Sequence, residues 1–84
     1  MTEQEKYLEG HRNCGIKVGD RVRVTRKAES CEDGWDNIWV YEMNSSIGVV
    51  GTVYLDNHQM GYTLEFDIEA PCYLDFPYFI LEKI

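Results

Sequence analysis

Three thiols, two imidazoles and a run of cations are the side chains of this chain with chemistry to offer: Cys14, Cys31 and Cys72, then His11 and His58, then Arg21, Arg23, Arg26 and Lys27. His11-Arg12-Asn13-Cys14 has the spacing of half a zinc site. Cys31 and Cys72 would have to complete it, whereas a structural zinc site offers tighter ligand pairs. Cys–His catalysis needs an imidazole against a thiol beside an oxyanion hole, and nothing in the spacing brings those groups together. Gly48-x-x-Gly51 precedes strand-like residues, not a helix, so it does not read as a phosphate-cradling loop. The expectation is a protein that is not an enzyme and uses no metal and no cofactor.

Binding chemistry remains, and it has three sources. Arg21 and Arg23 share one face of a strand about 7 Å apart, a separation that suits adjacent phosphates or acidic side chains. The ordinary alternative is an exposed strand whose arginines pair with acids such as Glu65 or Asp75, each pair contributing little. Carboxylates form the second source: Glu29, Glu32, Asp33, Asp36 and Glu42, then Asp67, Glu69 and Asp75. Such a surface either competes for a basic groove that normally holds nucleic acid or simply keeps the chain in solution. Aromatic rings are the third, with Trp35, Trp39, Tyr41, Tyr54, Tyr62, Tyr73 and Tyr78 able to cage a cation, a peptide or a base. In so small a chain most rings must serve as core or as a lid, which leaves Tyr41 and Tyr73 as the outward ones.

These groups must be positioned by 84 residues, the size of one domain with one thin core. The net charge of −7 is unevenly spread. Residues 1–27 carry seven basic and four acidic side chains, whereas residues 28–84 carry one basic and eleven acidic. An odd number of unpaired cysteines and the absence of an apolar run after the charged start fit a reduced, cytoplasmic setting. No stretch approaches the roughly 20 apolar residues that cross a bilayer, and an acidic chain has little attraction for a membrane surface. Oligomeric state is not readable.

Residues 1–15 are polar apart from Tyr7 and Leu8 and read as a flexible arm or a marginal helical turn. From residue 16 the pattern changes. Val22 and Val24 alternate with Arg21, Arg23 and Thr25, the period of a half-buried strand. A long excursion follows, in which Trp35, Trp39 and Met43 recur every four residues. This spacing favours a short helix over residues 35–43, although Ile38 to Met43 is also rich in strand formers. The two tryptophans then form a lid over one end of the core. Residues 48–55 read as a second strand with Val49, Val53 and Leu55 on one face, and Gly51 allows a close approach. Tyr62, Leu64 and Phe66 point inward from a third strand, and residues 72–76 form a fourth after a turn at Ala70-Pro71. Pro77 denies the ladder a donor and predicts one tight helical turn before a last strand over residues 80–84.

Val18-Gly19-Asp20-Arg21-Val22-Arg23-Val24, Gly48-x-x-Gly51-Thr52-Val53 and the closing Phe76-Pro77 with Leu81-Glu82 resemble the small SH3-like barrels of the KOW and Mind bomb type. Short modules of bacteriophages and prophages with a Gly-Trp insertion are similar. The resemblance covers residues 16–84. It implies a mainly β, SH3-like five-stranded barrel, closed or nearly so, with a short helical or irregular insertion after the first strand. It also implies a module that contacts RNA, a polymerase or a protein tail. Usual KOW modules are basic and this barrel half is acidic, which moves the expected ligand from nucleic acid toward protein. The expected function is a protein-binding module, an accessory factor of the phage type that modulates a host protein. Hot spots favour Trp, Tyr and Arg, so the expected contact residues are Arg21, Arg23, Trp35, Trp39, Tyr41 and Tyr73. The alternatives are nucleic-acid binding through the basic strand, acidic mimicry of nucleic acid against a nuclease or polymerase, and sequestration of an anionic small ligand.

Overall fold

A computed structural model describes residues 2–66 and 73–84. The turn expected at Ala70-Pro71, together with Asp67, Glu69 and Cys72, lies outside the described residues. Among the described residues there are five strands, β1 (Arg21–Val24), β2 (Val50–Asp56), β3 (Tyr62–Glu65), β4 (Tyr73–Phe76) and β5 (Leu81–Lys83). They form one antiparallel sheet in the order β4-β3-β2-β1-β5. The chain is thus mainly β, as expected, but the sheet is open. Its ladders end at β4 and β5, which are four and three residues long, and no ladder joins these edges among the described residues.

The alternation in β1 holds: Val22 and Val24 are fully buried while Arg21 and Arg23 face solvent. Gly51, opposite Val22, leaves room for the Phe66 ring, which a Cβ there would strike. Tyr62, Leu64 and Phe66 point into the core with Phe76 and Ile80. The tight turn after Pro77 is a single 3-10 turn, Tyr78–Ile80, leading into β5. One expectation fails along β2, where Val53 is buried but Leu55 is exposed, and Val49, also exposed, lies just before the strand. The register slips between Val53 and Leu55, so that Tyr54 is the extra residue of a bulge. A bulge breaks the period of two, and both Tyr54 and Leu55 turn outward.

Residues 35–43 do not form the helix that their four-residue spacing favours. Two 3-10 turns, Glu32–Gly34 and Tyr41–Ser46, flank a stretch that is extended at Trp35 and at Val40. Tertiary packing overrides the spacing: Trp35 and Met43 are core residues, and Trp39 packs edge-on against Phe76 at 6.0 Å.

The N-terminal residues expected as a flexible arm or marginal turn instead form helix α1 (Glu3–Asn13). A capping box starts it: the Glu5 N–H donates to Thr2 Oγ1 at 3.1 Å, and the Thr2 N–H donates to Glu5 Oε1 at 3.4 Å. Glu3 and Glu5 in its first turn and Arg12 in its last suit the helix dipole. Tyr7 and His11, one turn apart, are its buried anchors, and the helix lies against the turns Glu32–Gly34 and His58–Met60.

Gly34 has φ of +87°, and a Cβ on it would run into the Glu3 carbonyl of α1. Gly34→Ala is therefore expected to lower the melting temperature by at least about 4 °C. Hydrogen exchange should show the loss first at the amides of α1.

Candidate binding surface

Register places three of the expected contact residues, Arg21, Arg23 and Tyr73, on the sheet, whereas Trp35, Trp39 and Tyr41 lie outside the strands. On the outer face of the sheet, Tyr73, Glu65, Thr52 and Arg21 stand directly opposite one another across β4, β3, β2 and β1. Three strand spacings separate Tyr73 from Arg21, about 14 Å. Tyr54, turned out by the bulge, packs on Tyr73 with ring centres 5.1 Å apart. Arg23 stands in a second row, between Val50 and Glu82. Its exposed guanidinium lies 3.6 Å from Glu82, so the ordinary pairing exists, although with Glu82 and not with Glu65 or Asp75.

Other cations are also neutralised locally. Arg26 holds Glu32 at 3.0 Å and lies 5.6 Å above the Phe79 ring, and Lys83 reaches Asp20 at 3.3 Å. The Arg26 side chain and the Glu29 N–H pull the Glu32 carboxyl below its ordinary value. Among the described residues, Arg21 has no ion-pair partner.

Trp35, expected to contact a partner, cannot do so. Its side chain is fully buried, and its Nε1–H donates to the Met60 carbonyl at 2.6 Å. Trp39 is half-buried, with its Nε1–H donated to Asn44 Oδ1 at 2.7 Å. Tyr41 is 86 % exposed and stands apart from both rows.

A groove of about 240 Å³ opens beside β4. One wall is Asn37, Ile38, Val40 and Met43 of the insertion, the other is Tyr73, Leu74 and Asp75, and Met60 closes one side. Ile38, Met60 and Tyr73 are 56 %, 44 % and 53 % exposed. Asp75 is held by neutral donors: the Thr63 hydroxyl, Asn57 Nδ2 at 3.1 and 3.3 Å, and a longer approach of Asn37 Nδ2 at 3.5 Å. Sequence reasoning singled out Tyr73 here but missed Ile38 and Met60. The one available signal was an apolar Met60 in the otherwise polar loop Asp56-Asn57-His58-Gln59-Met60-Gly61.

A second polar cluster lies under α1. His11 Nε2 and Asp56 Oδ1 are 2.7 Å apart, and with the carboxylate ionised the ring nitrogen is the donor. The imidazole stacks on Tyr62 at 4.2 Å, and the Tyr62 hydroxyl donates to the Ile16 carbonyl at 3.1 Å. Burial, reinforced by the neighbouring Cys14, pushes the Tyr62 phenol up. The Cys14 thiol donates to the His11 carbonyl at 3.1 Å and lies 3.4 Å from the Tyr62 hydroxyl. The thiol thus meets the His11 backbone and not its ring, which is not the contact of a nucleophile with its base. Among the described residues no group of three His, Cys, Asp or Glu side chains could hold a metal ion. Nor is any described helix long and apolar enough to cross a membrane. No protein-family model, curated protein or solved structure matches this chain.

Burial pushes the Asp56 carboxyl up, but hydrogen bonds from the His58 N–H and the His11 side chain outweigh it, and the result lies below the ordinary 3.8. A carboxyl lowered on folding contributes stability above its unfolded value, and that contribution is lost as pH falls through its folded value. Asp56→Asn should therefore be less stable than the parent near neutral pH, with the gap narrowing in urea titrations as pH falls below 3.8. Equal gaps at both pH values would contradict this account.

Proposed function

We propose that this protein is a non-enzymatic protein-binding module that holds an extended segment of a partner in the groove beside β4. One observation carries the reading: three large apolar side chains, Ile38, Met60 and Tyr73, are about half exposed and line the same groove at an edge of the sheet. Clustered exposed apolar surface costs free energy when uncovered and is typical of interaction sites. Beside it β4 pairs with β3 on one side, and no strand pairs with its other side among the described residues. An unpaired strand edge is a template for an added strand.

The fold reading that accompanies this proposal is a small SH3-like barrel. Support comes from β1 lying between β2 and β5, from the consecutive pairing of β2, β3 and β4, and from the 3-10 turn that precedes β5. The corresponding role is that of a phage-type accessory factor acting on a host protein. A second reading, contact with a nucleic-acid strand, draws on Arg21, Tyr54 and Tyr73 sharing the outer face of the sheet. It predicts retention on DNA or RNA that falls steeply with salt.

Ile38→Asp and Met60→Asp should leave the circular dichroism spectrum and melting temperature nearly unchanged, because both side chains face solvent, yet abolish retention of a partner in affinity purification. Arg23→Ala and Tyr41→Ala should retain it. The partner should also protect amides of residues 37–43 and 73–76 from hydrogen exchange. Loss of the partner in Arg23→Ala or Tyr41→Ala, with full retention in both groove variants, would move the site away from β4.

A further inference from the structure

Asp75 is the one charged side chain lining the groove among the described residues. Its carboxylate is half-buried and its hydrogen-bond donors, Thr63, Asn57 and Asn37, are all neutral. No Lys, Arg or His lies within ion-pair distance of it among the described residues. Neutral donors fix the orientation of the group and offset part of its desolvation, but they leave its charge in place. Tyr73 stands two residues away on the same face of β4, about 7 Å off, with its ring half exposed. A carboxylate without a cation and a tyrosine face at that separation fit one cationic side chain, through an ion pair on one side and a cation–π contact on the other. Across the groove, Ile38 and Met60 call for an aliphatic side chain.

Resting on the binding reading above, we propose that the occupant of the groove is an extended protein segment that aligns with β4, with a Lys or Arg set between Tyr73 and Asp75 and an aliphatic residue against Ile38 and Met60. In a strand, neighbouring side chains point to opposite faces, so a segment of alternating basic and aliphatic residues meets both requirements. The surrounding charge agrees with this choice, because residues 28–84 carry eleven acids against one base.

The test is a titration of ¹⁵N-labelled full-length protein with a ten-residue peptide of alternating valine and lysine. Its controls are the same peptide with glutamate for lysine and the same peptide N-methylated at every second residue. The lysine peptide should shift the amides of Ile38, Tyr73, Leu74 and Asp75, and both controls should fail to do so. Asp75→Asn should weaken binding at least about tenfold. Since Asp75 also anchors Asn57 and Thr63, a second variant, Ile38→Lys, supplies a competing cation without touching that network and should block the peptide as well. Equal binding of the lysine and glutamate peptides, no groove shifts at about 1 mM peptide, or self-association of the protein through β4 would each overturn the proposal. Failure of the groove variants to release the native partner would instead overturn the binding-module reading, so the two failures are separable.

Discussion

Trp35 donates its indole N–H to the Met60 carbonyl from a fully buried position, and the next residue, Asp36, donates its N–H to the Gln59 carbonyl at 2.9 Å. These two bonds tie the insertion to the β2–β3 turn, and much of the remaining structure follows from that tie. The extended chain after Trp35 is thereby laid beside β4 and becomes a groove wall. Met60, whose backbone is used internally, keeps its side chain in the groove. Gly61 makes the approach possible: with φ of +109° and no Cβ, it clears both the Trp35 indole and the Phe76 carbonyl. Helix α1 packs on the same two turns from its own side.

The attachment of α1 is less economical. Its buried face holds Tyr7 and His11, and among the described residues the buried Tyr7 hydroxyl and His11 Nδ1 have no hydrogen-bond partner. An unsatisfied buried group costs on the order of 1–3 kcal/mol. Against that cost stand the His11–Asp56 bond, the stacking of His11 on Tyr62, and the contacts of Tyr7 with Tyr78 and Phe79. Aromatic area and one charge-assisted hydrogen bond therefore hold this helix, in place of an aliphatic stripe.

Sequence and structure agree where local period and burial coincide. Val22 and Val24 alternate with Arg21 and Arg23, Tyr62 with Leu64 and Phe66, and Pro77 forces the turn before β5; each was legible because one short-range rule decides it. The bulge at Tyr54 was not, since an extra residue in a ladder is set by the partner strand. Nor was the insertion, where the four-residue spacing of Trp35, Trp39 and Met43 came from three separate contacts and not from one helix face. The helix at the N-terminus had a readable start in Thr2-x-x-Glu5, but its anchors needed the sheet to exist before they had anything to stack on. Of the expected contact residues, Trp35 was misassigned for the same reason that the insertion was: an indole N–H with a backbone acceptor can be buried completely.

Charge placement then separates the two surfaces. Arg23, Arg26 and Lys83 lie against Glu82, Glu32 and Asp20, so three of the eight Lys and Arg side chains are paired where they stand among the described residues. Exposed pairs of this kind add little stability and weaken the positive field at the outer face of β1, where Arg21 alone stands without an ion-pair partner among the described residues of that strand. On the β4 side nothing comparable happens. Asp75 has only neutral donors around it, in a groove whose other described lining residues are uncharged. A charge left without a counter-ion beside apolar walls is less screened than one in open solvent, so Asp75 gives this groove a negative character. Apolar exposure and an unpaired carboxylate thus coincide in the groove beside β4, and neither Arg21 nor Arg23 is among its described lining residues.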